Sequence, residues 1–230
     1  MALTPAIFLD KDGTLLADVP YNVDRRHMRF APGARSGLAR LASLGLPLIV
    51  ITNQPGVALG KCSIDDLAGV REHLAAMFRE VGATLSGFYY CPHHPKGVRP
   101  GYGMFCECRK PAPGLLHIAA ERQGIDLTSS WFVGDILDDI EAGRRAGCRT
   151  LLLDNGNETE WVRNEWRTPE RTEADLDAAS AWITHCFAEF ERRGRQLVAR
   201  RAAGTRQALA RQPVHLPAGR RPGRRLGAAA

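Results

Sequence analysis

Nowhere in this 230-residue sequence is there an apolar run of about 18 residues, so no membrane-spanning helix is expected. The opening segment, MALTPAIFLDKDGT, lacks a basic stretch leading into an apolar one with a cleavage site. No secretory signal is read there, and the expected compartment is the cytoplasm. Internal repeats are missing too. Lysine is absent from residues 191–230, and acids there are reduced to Glu191, against 11 arginines, a net charge of +10. The other 190 residues carry 20 basic and 24 acidic side chains, a net of −4, so the formal +6 of the chain belongs to its tail. An argument from charge to nucleic acid therefore concerns the tail alone. Few aromatic residues interleave those arginines, so base stacking is not indicated. Large apolar residues are also too sparse there to offset ordering entropy. The expectation is a basic, disordered extension over residues 191–230, with nucleic acid not an expected partner.

What is present is a regular alternation. Hydrophobic residues make up 44% of the chain, enough for a buried core. Apolar runs at residues 6–9, 46–51, 87–90, 131–133 and 150–153 are separated by helical patterns at about 33–44, 63–81, 113–123 and 138–146. Ser63 followed by Asp65 and Asp66 marks one helix start, and Pro32 another. A last helix is predicted from Thr172 to Ala188, with Glu173 and Asp175 in its first turn. Apolar runs alternating with helices predict an α/β fold: a Rossmann-like parallel sheet with helices on both faces, over residues 1–190. No insertion is long enough for a large cap domain. Sites in such sheets form at the carboxyl ends of strands, which gathers Asp10, Thr52, Cys91 and Asp135 near one edge.

Asp10 and Asp12 stand two apart after a buried strand, so extended geometry points both to the same side, and Gly13 then permits a tight turn. A carboxylate pair with a metal can supply a nucleophile, a proton donor and charge neutralisation, the needs of phosphoryl transfer. A second cluster is Cys91-Pro-His93-His94-Pro, with Cys106-Glu-Cys108 following after 12 residues between His93 and Cys106. Three thiolates and one imidazole make a closed tetrahedral zinc set, which is structural because no position stays open for water. The intervening loop has little apolar content of its own, so a zinc staple makes physical sense. Spacing alone leaves His93 and His94 competing as the fourth ligand.

Asp10-Lys11-Asp12-Gly13-Thr14 resembles the DxDGT signature of the haloacid dehalogenase-like phosphatases. Ile51-Thr52-Asn53, Arg109-Lys110-Pro111 and Gly134-Asp135-Ile136-Leu137-Asp138-Asp139 resemble that family's later motifs, in the same order, over about residues 5–155. The resemblance implies that Asp10 attacks phosphorus to form an aspartyl-phosphate, and that Asp12 protonates the leaving oxygen and then activates water. It also implies that Asp10, Asp135 and the backbone carbonyl of Asp12 bind Mg²⁺, and that Thr52 and Lys110 hold phosphoryl oxygens. Asp139 would orient the metal shell or Lys110.

The stretch CPHHP…CECRKPAPG, together with residues 52–61, is similar to the bacterial D-glycero-D-manno-heptose-1,7-bisphosphate 7-phosphatases, and histidinol-phosphate phosphatases share a related zinc loop. That subgroup implies His93 as the fourth zinc ligand beside Cys91, Cys106 and Cys108. It also implies substrate contacts from Asn53 and Arg109 and a place in heptose supply for surface glycans. Ile136 departs from it, because many of those enzymes carry a basic residue directly after the Gly-Asp aspartate. The expected partner is a small sugar phosphate and the expected state a monomer. Histidinol-phosphate phosphatase, polynucleotide 3′-phosphatase and a non-catalytic zinc-stabilised binding module with a basic tail are the rival readings.

Overall fold

The computed structural model describes residues 3–210. The chain divides into two units, residues 1–187 and residues 188 onward. The first contains six strands in the order β3-β2-β1-β4-β5-β6, all paired in parallel. They are β1 (Ile7–Leu9), β2 (Leu48–Asn53), β3 (Leu85–Cys91), β4 (Trp131–Gly134), β5 (Arg149–Leu153) and β6 (Arg171–Glu173). The helices are α1 (Ala34–Ala42), α2 (Ile64–Glu80), α3 (Gly114–Gln123), α4 (Leu137–Ala146) and α5 (Leu176–Ala210).

Alternation along each strand decides which residues meet which helices. Ile7, Leu9, Val50, Trp131 and Val133 pack in one buried cluster with Leu38 and Leu41 of α1, Leu74 and Phe78 of α2, and Leu176 and Ile183 of α5. Ala6, Phe8, Ile49, Ile51 and Phe132 form the opposite cluster with Leu116 and Ala119 of α3 and Ala142 and Ala146 of α4. Both faces are therefore covered, as all-parallel sheets require. Each fully buried Leu, Ile or Phe contributes roughly 1.5–3 kcal/mol, so the strand ends are held by a rigid support. The start of α2 follows its sequence signal: Ser63 Oγ accepts from Asp66 N at 3.1 Å, and Asp66 Oδ2 accepts from Ser63 N at 2.7 Å.

One expectation is corrected. Thr172 does not open a helix; it lies in β6, whose register pairs Thr172 with Leu152. The helix starts at Leu176 with Asp175 Oδ1 accepting from Ala178 N at 2.9 Å. Asp175 is the better cap because its carboxylate reaches an otherwise unpaired N–H. Helix α5 runs through Ala210, so the boundary expected at residue 191 falls within it. Alanine, arginine and glutamine are strong helix formers and extend a helix without a core of their own. Residues 211–230 of the expected tail lie outside the described residues. No helix among the described residues is long and apolar enough to cross a membrane.

Candidate active site and metal centre

The strand order reverses at β1, which has β2 on one side and β4 on the other. That switch point opens a crevice at the strands' carboxyl ends. Leu9 pairs with both Val50 and Val133, so Asp10, Thr52 and Asp135 emerge side by side. Asp10 N donates to Val133 O at 3.0 Å, which locks the first strand end to the fourth. A cavity of about 200 Å³ sits there, lined by Asp10, Asp12, Asp18, Thr52, Asn53, Lys110, Asp135, Ile136 and Asn157.

Its floor is a set of buried charges. Lys110 is 3% exposed, and its Nζ lies 2.5 Å from Asp10 Oδ1 and 2.5 Å from Asp139 Oδ1 while donating to Ile51 O at 3.2 Å. Burial opposes the lysine's charge, but Asp10 and Asp139 overcome it and hold the ammonium above its ordinary pKa. Burial raises Asp10 well above the usual carboxylate range against the pull of Lys110, and Asp139, Asp135 and Asp12 add to the rise. Burial, then Asp139, pushes Asp135 up to about 7. Carboxylate oxygens of Asp10, Asp135 and Asp139 lie within 4.8 Å of one another. Three buried carboxylates against one ammonium leave uncompensated negative charge, and the donors are hard oxygens, the set that suits Mg²⁺. The residues therefore fit that ion.

The carboxylate of Asp12 lines the same cavity but is not one of these three. Its Oδ1 is 2.5 Å from Lys11 Nζ, and its Oδ2 accepts from Gln54 Nε2 at 3.0 Å. Gln54 Nε2 also reaches Thr52 Oγ1 at 2.9 Å, tying the two expected catalytic side chains together. The backbone carbonyl of Asp12 is the group expected on the metal. Asn53, expected on substrate, directs its amide at the backbone of Lys110: Nδ2 donates to Lys110 O at 3.1 Å and Oδ1 accepts from Lys110 N at 3.0 Å. It thereby fixes the backbone of Lys110 while lining the cavity. Arg109 is outside the lining residues, with Nη1 3.5 Å from His93 O.

Sequence reasoning missed several residues of this site. Lys11 is 1% exposed and Gln54 5% exposed, both against Asp12. Thr14 Oγ1 donates to Asp135 Oδ1 at 3.0 Å, and Asn157 Nδ2 to Asp135 Oδ2 at 2.8 Å. Gly13 has φ +81°, and a Cβ there would come within 2.0 Å of Asp135 Oδ2, so only glycine fits. That glycine was legible as a turn; Asn157 carried no motif signal at all.

The loop after β3 brings Cys91, His93, Cys106 and Cys108 together. The sulfurs are 3.3–3.6 Å apart, and His93 Nδ1 is 3.3 Å from Cys108 Sγ. Ligands about 2.3 Å from a shared tetrahedral zinc have that order of separation. His94 stays outside the cluster, accepting from Lys96 N at 3.1 Å through Nδ1.

Comparison with known proteins identifies relatives of this chain. The HAD-hydrolase-like family matches residues 107–179. D-glycero-beta-D-manno-heptose-1,7-bisphosphate 7-phosphatase of Escherichia coli (strain K12) is 36% identical over 186 residues, which is 81% of this chain and 91% of that protein. The Yersinia pestis protein of the same name is 33% identical, covering 81% and 93%. Among solved structures, D,D-heptose 1,7-bisphosphate phosphatase from B. bronchiseptica, complexed with magnesium and phosphate, superposes with a TM-score of 0.65 at 27% identity, covering 79% of this chain and 99% of that one. With the reversal of strand order at β1, the buried lysine–carboxylate set and relatives aligned over nearly their full length, the chain belongs to the haloacid dehalogenase-like hydrolases, in the family of the heptose-1,7-bisphosphate 7-phosphatases.

Proposed function

We propose that this chain is a Mg²⁺-dependent phosphomonoester hydrolase that removes the 7-phosphate of D-glycero-D-manno-heptose 1,7-bisphosphate through an aspartyl-phosphate on Asp10. The observation that carries this reading is the contact of Lys110 Nζ with Asp10 Oδ1, 2.5 Å apart at the bottom of the cavity. A carboxylate meets a dianionic phosphate only where cations cancel the repulsion. Lys110 supplies one cation, and Mg²⁺ held by Asp10, Asp135 and the carbonyl of Asp12 would neutralise phosphoryl oxygens as a Lewis acid.

Asp10 Oδ attacks phosphorus as the bond to the leaving oxygen breaks, and Asp12 gives that oxygen its proton. Asp12 then takes a proton from water, which attacks the phosphorus of the aspartyl-phosphate, releases phosphate and restores Asp10. Lys11 and Gln54 hold the Asp12 carboxylate between these two roles. Thr52 Oγ and Lys110 Nζ receive the phosphoryl oxygens, Asn53 fixes Lys110, and Asp139 keeps the ammonium charged and aimed. Arg109 takes the distal sugar phosphate. Cys91, His93, Cys106 and Cys108 hold a structural zinc. The protein acts as a cytoplasmic monomer.

One observation favours a second reading. Ile136 and the acid Asp18 line the cavity where a further cation would serve a second phosphate. That wall suits the ammonium of histidinol phosphate. Phosphate release from heptose bisphosphate, histidinol phosphate and a 3′-phosphorylated oligonucleotide separates the readings, with the highest kcat/KM expected on the first. Asp10→Asn should lower turnover at least about a thousandfold; full activity in that variant would end the nucleophile assignment.

A further inference from the structure

The last of the four motifs ends at Asp139, yet the segment after β5 reaches back into the site. Asn155 Nδ2 donates to Gly13 O at 2.7 Å, and Asn157 Nδ2 donates to Asp135 Oδ2 at 2.8 Å. Glu158 Oε2 accepts from Leu137 N at 2.6 Å, at the first turn of α4. Three side chains from residues 155–158 thus fasten to the turn after β1 and the strand end of β4. The amide orientations follow from their partners: a carbonyl oxygen and a carboxylate only accept, so Nδ2 must donate in both cases.

Asn157 differs from its neighbours in what it touches. Asn155 and Glu158 hold backbone atoms, whereas Asn157 holds a carboxylate of the candidate metal centre and lines the cavity. Opposite it, Thr14 Oγ1 takes the other oxygen of Asp135 at 3.0 Å. Each carboxylate oxygen has two lone-pair sites, so this pair of neutral donors fixes the carboxylate plane and leaves one site on each oxygen. The fit is close: a Cβ on Gly13 would come within 2.4 Å of Asn157 Nδ2 and 2.0 Å of Asp135 Oδ2.

We infer that Asn157 is a positioning residue for the metal centre, clamping Asp135 against Thr14 so that its free lone pairs face the oxygens of Asp10. The inference rests on the Mg²⁺ reading above and extends it to a residue outside the four motifs. Outer partners that orient a ligating carboxylate change metal affinity by about ten- to a hundredfold when removed.

Calorimetric titration of Mg²⁺ into the full-length protein tests this without reference to turnover. Asn157→Ala, and Asn157→Leu, which keeps the bulk, should both weaken Mg²⁺ by about tenfold or more. Glu158→Ala, which loosens the same segment by freeing Leu137 N and touches neither Asn157 nor Asp135, should bind Mg²⁺ within about threefold of the parent, short of the loss expected for an outer partner. In steady-state assays on an aryl phosphate, the Asn157 variants should need correspondingly more Mg²⁺ for half-activation. Their KM for the phosphate at saturating Mg²⁺ should change by less than the shift in half-activating Mg²⁺. Parent-like Mg²⁺ affinity in the Asn157 variants, or an equal loss in Glu158→Ala, would overturn the inference. A parent protein that binds Mg²⁺ but releases no phosphate would count against the phosphatase reading alone.

Discussion

Asp10 and Lys110 are 100 residues apart in sequence and 2.5 Å apart in space. Neither charge would be stable in that position alone, since an isolated buried ion costs several kcal/mol. Asp139, 0% exposed, completes the set and makes the ammonium the meeting point of two acids. Gly13 is the tightest constraint beside them. Gly13→Ala would place a methyl group on Asp135 and an L-residue at φ +81°, a backbone cost of about 1–2 kcal/mol. Displacing the carboxylate by about 1 Å should reduce phosphatase kcat/KM by about a hundredfold, measured on any accepted phosphoester. Asp10, Thr52, Lys110 and Asp135 were legible in the sequence because each stands at the end of an apolar run or in a motif. Gln54, Lys11 and Asn157 were not, because their meaning lies in whom they touch. Asn155-Gly156-Asn157 reads locally as an ordinary turn.

At the scale of elements, five strands and four of the helices were visible as runs and periodicities. Strand β6, Arg171–Glu173, was not: three polar residues at a sheet edge bear no apolar signature, and only pairing with β5 makes them a strand. The segment between β5 and β6 is pinned by Arg167, whose Nη2 meets Asp138 Oδ1 at 2.6 Å and whose Nε meets Glu141 Oε2 at 2.7 Å. Arg167 is 16% exposed and Glu141 7% exposed. Arg167→Ala should cost about 1–3 kcal/mol, below the range for fully buried pairs because some water reaches the guanidinium. A thermal melt should fall by several degrees; an unchanged Tm would show the pairs to be energetically idle. The loop bearing Cys91, His93, Cys106 and Cys108 has a different support. Elemental analysis should find about one zinc per chain, and Cys106→Ser should lower that content and speed proteolysis between residues 92 and 108.

For the molecule as a whole, the fold follows from covering both faces of one parallel sheet, and the position of the site follows from the reversal of strand order at β1. Every residue lining the cavity lies between Asp10 and Asn157. A chain ending at residue 190 should therefore keep Mg²⁺-dependent phosphate release from a small phosphoester. Loss of that activity in a folded truncation would give the arginine-rich remainder a role in chemistry. The helix through Ala210 was hard to foresee, because the sequence there supplies helix propensity without an apolar stripe to announce it.

The strand order also sets a timetable for biosynthesis. β1 leaves the ribosome first but belongs in the middle of the sheet, and its second neighbour, β4, ends at Gly134. Until that strand and Lys110 have been translated, the carboxylate of Asp10 has neither its second neighbouring strand nor a counter-charge and must remain hydrated. An interrupted polypeptide thus cannot retain a partial enzyme: the reactive carboxylate becomes sequestered only after β4 has been made, by contacts distant in sequence and slow to form.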